Sequence, residues 1–418
     1  MNKDHHKLTS RRDFLALTAL TMAGLIRPEQ LIASAQAATQ SGAGKRALIV
    51  LTLGGGNDGL NTVVPFAKGA YYDLRPKIAG KQDLGLPLDT SSGLGFHPAL
   101  KELHELYKKG QVAVVGGVGY PSPNRSHFRS IEIWQTAQPD IIGSTGWLGR
   151  YLDLIDKKTA SESMMLAVNI DPILPKSLLS RKVNVPSVYD LGDFRFKVDP
   201  HFEDDKPQQI AAFKSIYSDF NSDSPFFDKL KTTGLEANSA SEKLLKLASA
   251  KNQVKYPDGK LAASLRLIAQ MMSGNVGAKV YTLTHDGFDT HANQLSSQPG
   301  LLSNLSKSIS AFFEDLSARG LDDDATIMVF SEFGRRAAEN GGRGTDHGTA
   351  APCFVIGKNV KGGLYGESPD LARLDNGDLR YTTDFRALYA TVLDDWLKAD
   401  SREIIGKRFD NLGLFGAA

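Results

Sequence analysis

Two kinds of apolar run alternate along the chain. Ala47–Leu53 is continuously apolar and aliphatic, the pattern of a strand covered on both faces. Similar short runs lie at Val112–Val115, Ala278–Leu283, Ala325–Phe330 and Cys353–Ile356. Between them, apolar residues recur at helical spacing. Leu100, Leu103, Leu106 and Tyr107 mark one face of a helix over His97–Lys109, which stops at Gly110. Ser126–Ala137, Leu261–Met272 and the stretch carrying Leu301, Leu305, Ile309, Phe312 and Leu316 read as further helices. Asp384 stands where it would cap a last helix, Asp384–Leu397. Strands alternating with helices predict an α/β fold, with a mostly parallel central sheet and helices on both faces. Residues 200–255 depart from the pattern. They are rich in Ser, Lys and Asp, are helical in periodicity and carry few strand signals, which predicts a helical insertion in a single domain spanning 45–418.

The first 37 residues do not belong to that domain. Ser10-Arg11-Arg12-Asp13-Phe14-Leu15 is a twin-arginine signature, followed by an apolar run from Phe14 to Ile26. The run is shorter than the roughly 20 residues a membrane span needs. Ala33-Ser34-Ala35 and Ala35-Gln36-Ala37 offer small-residue cleavage sites. The expected partner is the twin-arginine export machinery, and the expected location is the periplasm or outside the cell. No other stretch is apolar enough to cross a bilayer, so no stable membrane span is expected after cleavage.

Composition narrows the function. A net charge of +2 with 23% charged residues gives no basic surface for nucleic acid. A single cysteine, Cys353, excludes an internal disulfide, and its apolar setting reads as core.

Glycines and metal-ligand residues follow the strands. Ala47–Leu53 runs into Gly54-Gly55-Gly56-Asn57-Asp58-Gly59, and Val112–Val115 leads to Asn124-Arg125-Ser126-His127. Ala278–Leu283 runs into His285-Asp286-Gly287-Phe288-Asp289-Thr290-His291, and Ala325–Phe330 into Ser331-Glu332-Phe333-Gly334-Arg335. The carboxyl ends of parallel strands share one edge, where α/β proteins bind ligands. Asp58, Ser126, Asp289, His291 and Glu332 are thereby drawn to one rim. Asp346-His347 precedes its strand and must reach that rim by the path of its own loop. The glycine run lacks G-x-G-x-x-G, which excludes a dinucleotide fingerprint.

Each residue also has a plain reading. Asp58 and Ser126 suit helix caps, Asp289-Thr290-His291 a local turn, and Asp346-His347 a polar bend. Glu332, after an apolar strand, wants a metal or Arg335. Arg125 and Arg335 are either surface residues or forks for an oxyanion.

Arg-Ser-His-Phe at 125–128, Phe-Asp-Thr-His at 288–291, Ser-Glu-Phe-Gly-Arg at 331–335 and Gly-Thr-Asp-His-Gly at 344–348 resemble the hallmarks of the twin-arginine-exported family called domain of unknown function 1501. Gly-Gly-Asn-Asp-Gly-Leu-Asn at 55–61 and Gly-Trp-Leu-Gly-Arg at 146–150 fit it too. That family is similar to the alkaline phosphatase and sulfatase superfamily. The resemblance implies an alkaline-phosphatase-like fold and a hydrolase of small anionic esters, with one or two divalent metals, zinc or calcium, beside a nucleophile. Ser126 matches the nucleophile, with Ser122 second. Asp58, Asp286, Asp289, His291, Glu332, Asp346 and His347 are the implied metal ligands, Arg125 and Arg335 the oxyanion grips, and His127 an orienting or protonating group. Glu332-Phe333 stands where the superfamily carries Asp-His, so a ligand of the second metal is missing. The alternative implication is a degenerate member that binds a ligand or partner without catalysis.

Overall fold

The structure, a computed structural model, describes residues 46–159, 165–189, 204–219 and 254–416, with a few single residues between 224 and 235. The expected signal segment and most of the expected insertion lie outside the described residues. Within the insertion, Lys206–Asp219 is a helix.

Eleven strands are described: β1 Ala47–Gly54, β2 Val63–Val64, β3 Leu86–Pro87, β4 Gly95–Phe96, β5 Val112–Gly119, β6 Ala167–Asn169, β7 Val280–Asp286, β8 Ala325–Phe330, β9 Ala351–Ile356, β10 Gly363–Tyr365 and β11 Thr383–Asp384. The main sheet has the order β10-β5-β9-β8-β1-β7-β6, with β11 on the end of β5, while β2, β4 and β3 form a small antiparallel sheet. β1 lies at the heart of the main sheet, parallel to both β7 and β8.

The helices that concern the site are α1 Lys101–Lys108, α2 His127–Thr136, α3 Trp147–Thr159, α4 Lys260–Ser273, α5 Gln294–Ala318 and α6 Phe385–Thr391. β1 shows why they cover both faces. Ala47, Ile49, Leu51 and Leu53 enter one core, with side chains of α1, α4 and α5. Leu48 and Val50 enter the other, with side chains of α2, α3 and α6. A period of two along a strand apolar at all but Thr52 and its closing glycine requires two covered faces. Burial of a large aliphatic side chain contributes about 1.5–3 kcal/mol, so both layers are strongly held. Asp384 accepts from Arg386 N and caps α6 as expected, but the helix passes into a π-turn over Val392–Trp396.

One departure from a parallel sheet matters most. β9 runs antiparallel to both neighbours, β5 and β8. Its leading end therefore lies at the same rim as the trailing ends of β1, β5, β7 and β8. The loop that carries Asp346 and His347 needs no detour, because strand direction delivers it to the rim. An isolated bridge between Arg335 and His347 ties it to the loop after β8.

Candidate metal and ester site

At this rim three imidazoles converge on one carboxylate oxygen. His291 Nε2 lies 3.1 Å, His347 Nε2 3.2 Å and His127 Nε2 3.7 Å from Asp289 Oδ1. His291 Nε2 and His347 Nε2 are 2.9 Å apart.

The other ring nitrogens fix the tautomers. His347 Nδ1 meets the backbone carbonyl of Arg125 at 2.9 Å, and a carbonyl can only accept. His127 Nδ1 meets Glu332 Oε1 at 2.8 Å, and His291 Nδ1 meets Asp346 Oδ1 at 3.2 Å. The Asn340 amide, more than His291, holds the Asp346 carboxyl below its ordinary pKa, so it too accepts. In the neutral rings all three protons thus sit on Nδ1, and three Nε2 lone pairs face Asp289. Lone pairs gathered round a carboxylate repel unless a cation sits among them. Three imidazoles and one carboxylate form a donor set suited to a divalent metal, zinc above all. Among the described residues, the ligand atoms of His127, Asp289 and His347 form a group within 4.8 Å of one another.

Asp289 is held for that role. Burial alone would raise its pKa, but the hydrogen bond and charge of the Arg335 guanidinium outweigh it and hold the carboxyl below the ordinary 3.8. Arg335 has a fully buried side chain and donates to the carbonyls of Gly55, Gly56, Phe288 and Thr345 and to Asp289. These bonds offset the desolvation of a buried charge. They also stitch the loops after β1 and β7 to the loop before β9. Gly55, at φ 112°, lets them close, since a Cβ there would lie 2.4 Å from Asp289 N. Gly344 does the same on the other side, where a Cβ would meet Thr290 O at 2.3 Å.

Other implied ligands take different places. Asp58 is 1% exposed and meets other partners than the histidines. It caps a 3-10 turn at Gly59–Asn61, pairs with Arg75 Nη1 at 2.5 Å and accepts from Gln294 Nε2 at 2.6 Å. Glu332 accepts from His127 and from Gly55 N, orienting a ring rather than joining the cluster. Asp346 likewise backs His291. Asp286 ends β7, exposed, on the wall of a neighbouring cleft. Phe333 packs on the rings of His127 and His347, with centroids 4.9 and 4.7 Å away, where a second-metal ligand was missing in the sequence.

The implied nucleophile and grips divide in the same way. Ser126 is exposed at the N-cap of α2, and its side chain makes no capping bond. The flanking residues hold it in place, Arg125 through its carbonyl on His347 and His127 through its ring. Ser122 is exposed on the preceding loop at φ 53°. The Arg125 guanidinium is tied to Asp378, and Arg335 is spent on carbonyls, so neither is free to grip an ester as expected.

Sequence reasoning overlooked Gln294, fully buried at the start of α5. Its Oε1 accepts from Thr290 Oγ1 at 3.0 Å and from Thr345 Oγ1 at 2.8 Å. Those threonines adjoin His291 and Asp346. A glutamine near a helix start reads as solvated, and only the two Asp-x-His and Thr-Asp-His loops around it give it meaning.

The model of the family described as protein of unknown function (DUF1501) matches residues 114–408. No curated protein matches the chain. Among solved structures it is similar to the PsFucS1 sulfatase from Pseudoalteromonas sp., at 12% identity and TM-score 0.40, covering 94% of this chain and 78% of that one. It is also similar to the C-terminal periplasmic domain of EcEptC from Escherichia coli, in complex with Zn, at 10% identity and TM-score 0.35, covering 76% and 75%. A protein in the alkaline phosphatase superfamily from Vibrio parahaemolyticus is similar at 10% identity and TM-score 0.37, covering 87% and 69%. Among the described residues no helix is long and apolar enough to cross a membrane.

Proposed function

This chain belongs to the DUF1501 family, and from that premise we propose that it is an exported hydrolase of phosphate or sulfate esters that works with one divalent cation. The observation that carries this reading is the convergence of three imidazole Nε2 atoms on Asp289 Oδ1. His127, His291, His347 and Asp289 would hold the ion, which the nitrogen-rich set favours as zinc over calcium. When bound, the cation would neutralise charge developing on the ester oxygens.

The chain's own groups do the rest. Ser126 Oγ has no capping duty and stands at a helix N-terminus, where backbone N–H groups favour an anion. We take it as the nucleophile, its oxygen bonding to phosphorus or sulfur as the alcohol oxygen leaves. Glu332 and Asp346 keep His127 and His291 in the Nδ1–H tautomer. Arg335 keeps Asp289 ionised and aimed.

A second reading, a metal-binding protein without catalysis, draws on Phe333 in a ligand's place and on the internal commitment of both arginines.

Elemental analysis of protein exported by its own host, followed by assays with nitrophenyl phosphate, its phosphodiester and nitrophenyl sulfate, tests the proposal. One equivalent of metal and turnover lost in Ser126→Ala supports it. Metal without turnover of any ester supports the second reading. A folded protein that takes up no zinc sinks both.

A further inference from the structure

A cleft of about 290 Å³ opens beside His127 and Glu332 and runs along the ends of β1 and β7 beneath α2. It is the space next to the metal cluster into which the alcohol part of a bound ester would extend. Its charges have one sign. Glu332, Asp286 and Asp171 line it, and among the described residues no lysine or arginine does. Lys260, which is not part of the lining, is bonded to Asp171 at 2.6 Å. Asp286 is exposed.

Two further features mark a binding surface. Trp134 lines the cleft at 2% exposure, and its indole Nε1 has no hydrogen-bond partner. A buried donor without a partner fits a ligand oxygen. Phe128 and Ile173, 89% and 80% exposed, add apolar surface to the lining.

We propose that this cleft selects esters whose alcohol carries an amine, and rejects those whose alcohol is anionic. The inference rests on the hydrolase reading for its substrate but not for the binding itself. A carboxylate-lined wall repels a second anion and attracts an ammonium group, and exposed aromatic surface favours that cation as well. The ester's own negative charge is met at the histidine cluster, where Glu332 is already bonded to the His127 ring.

Three phosphate monoesters separate the cases while keeping one phenol body: those of tyramine, 4-methylphenol and 4-hydroxyphenylacetate. The tyramine ester should be turned over with kcat/KM about tenfold above the neutral ester and about a hundredfold above the anionic one. Asp286→Asn should narrow the spread between the cationic and anionic esters to less than about tenfold. Binding of the free phenols, followed by ligand-observed NMR without added metal, gives a readout independent of turnover. Tyramine should bind more tightly than 4-hydroxyphenylacetate. If no ester is hydrolysed but tyramine binds selectively, the hydrolase reading fails and the cleft assignment stands. If 4-hydroxyphenylacetate binds as well as tyramine, or Asp286→Asn leaves the spread unchanged, the cleft assignment is overturned.

Discussion

His291 and His347 face each other through Nε2 atoms 2.9 Å apart, each with its Nδ1 proton already committed to an acceptor. In the proposed site such a pair shares a cation. His291→Ala and His347→Ala should each weaken zinc binding by more than the roughly 10- to 100-fold that loss of an outer partner costs. Competition titration against a chromogenic chelator measures this. An unchanged affinity in either variant removes the pair from the site.

Glu332 holds His127 from behind. Glu332→Gln lets the side-chain amide donate to Nδ1 and favours the wrong tautomer. Zinc affinity should fall about 10- to 100-fold, with one ion still bound per chain. If Glu332 were a ligand, the cobalt-substituted protein would change its visible spectrum in the variant as it does in His347→Ala. We expect a smaller change.

Asp58 and Gln294 separate stability from site geometry. Asp58→Ala strands Arg75, whose side chain is fully buried, and should cost about 3–5 kcal/mol in denaturant unfolding. Gln294→Leu removes the shared acceptor of Thr290 and Thr345, loosening both loops of the cluster. It should lower zinc affinity about tenfold, and the imidazole nitrogen shifts of His291 and His347 should move in the metal-free protein. Shifts that stay fixed would limit Gln294 to a packing role.

His97 gives stability a pH slope. Its Nδ1 accepts from Ala99 N at 3.1 Å, and burial holds its pKa below the ordinary 6.5. The unfolded chain therefore binds more protons than the native one between the folded-state pKa and 6.5. The contribution is full above 6.5 and is lost as pH falls through that window. His97→Asn keeps a cap acceptor and should flatten the slope by up to about 1.4 kcal/mol per pH unit, read from unfolding midpoints in chelator. Equal slopes in the two proteins would count against it.

The sequence by itself determined the strands and helices around the sheet, because a doubly covered strand such as Ala47–Leu53 must be apolar at nearly every position and an amphipathic helix must repeat near 3.6. It also placed Asp289, His291 and Ser126 after strand ends, where chain direction alone brings them to one rim. Tertiary structure decided the rest. The reversed direction of β9 carried His347 to that rim, and a short apolar run reads the same in either direction. Asp58, Glu332 and Arg335 were legible as functional residue types, but what each carboxylate or guanidinium does depends on its partners. Arg75, His127 and the carbonyls of three loops come from other parts of the chain, and only folding decides which of them each group meets.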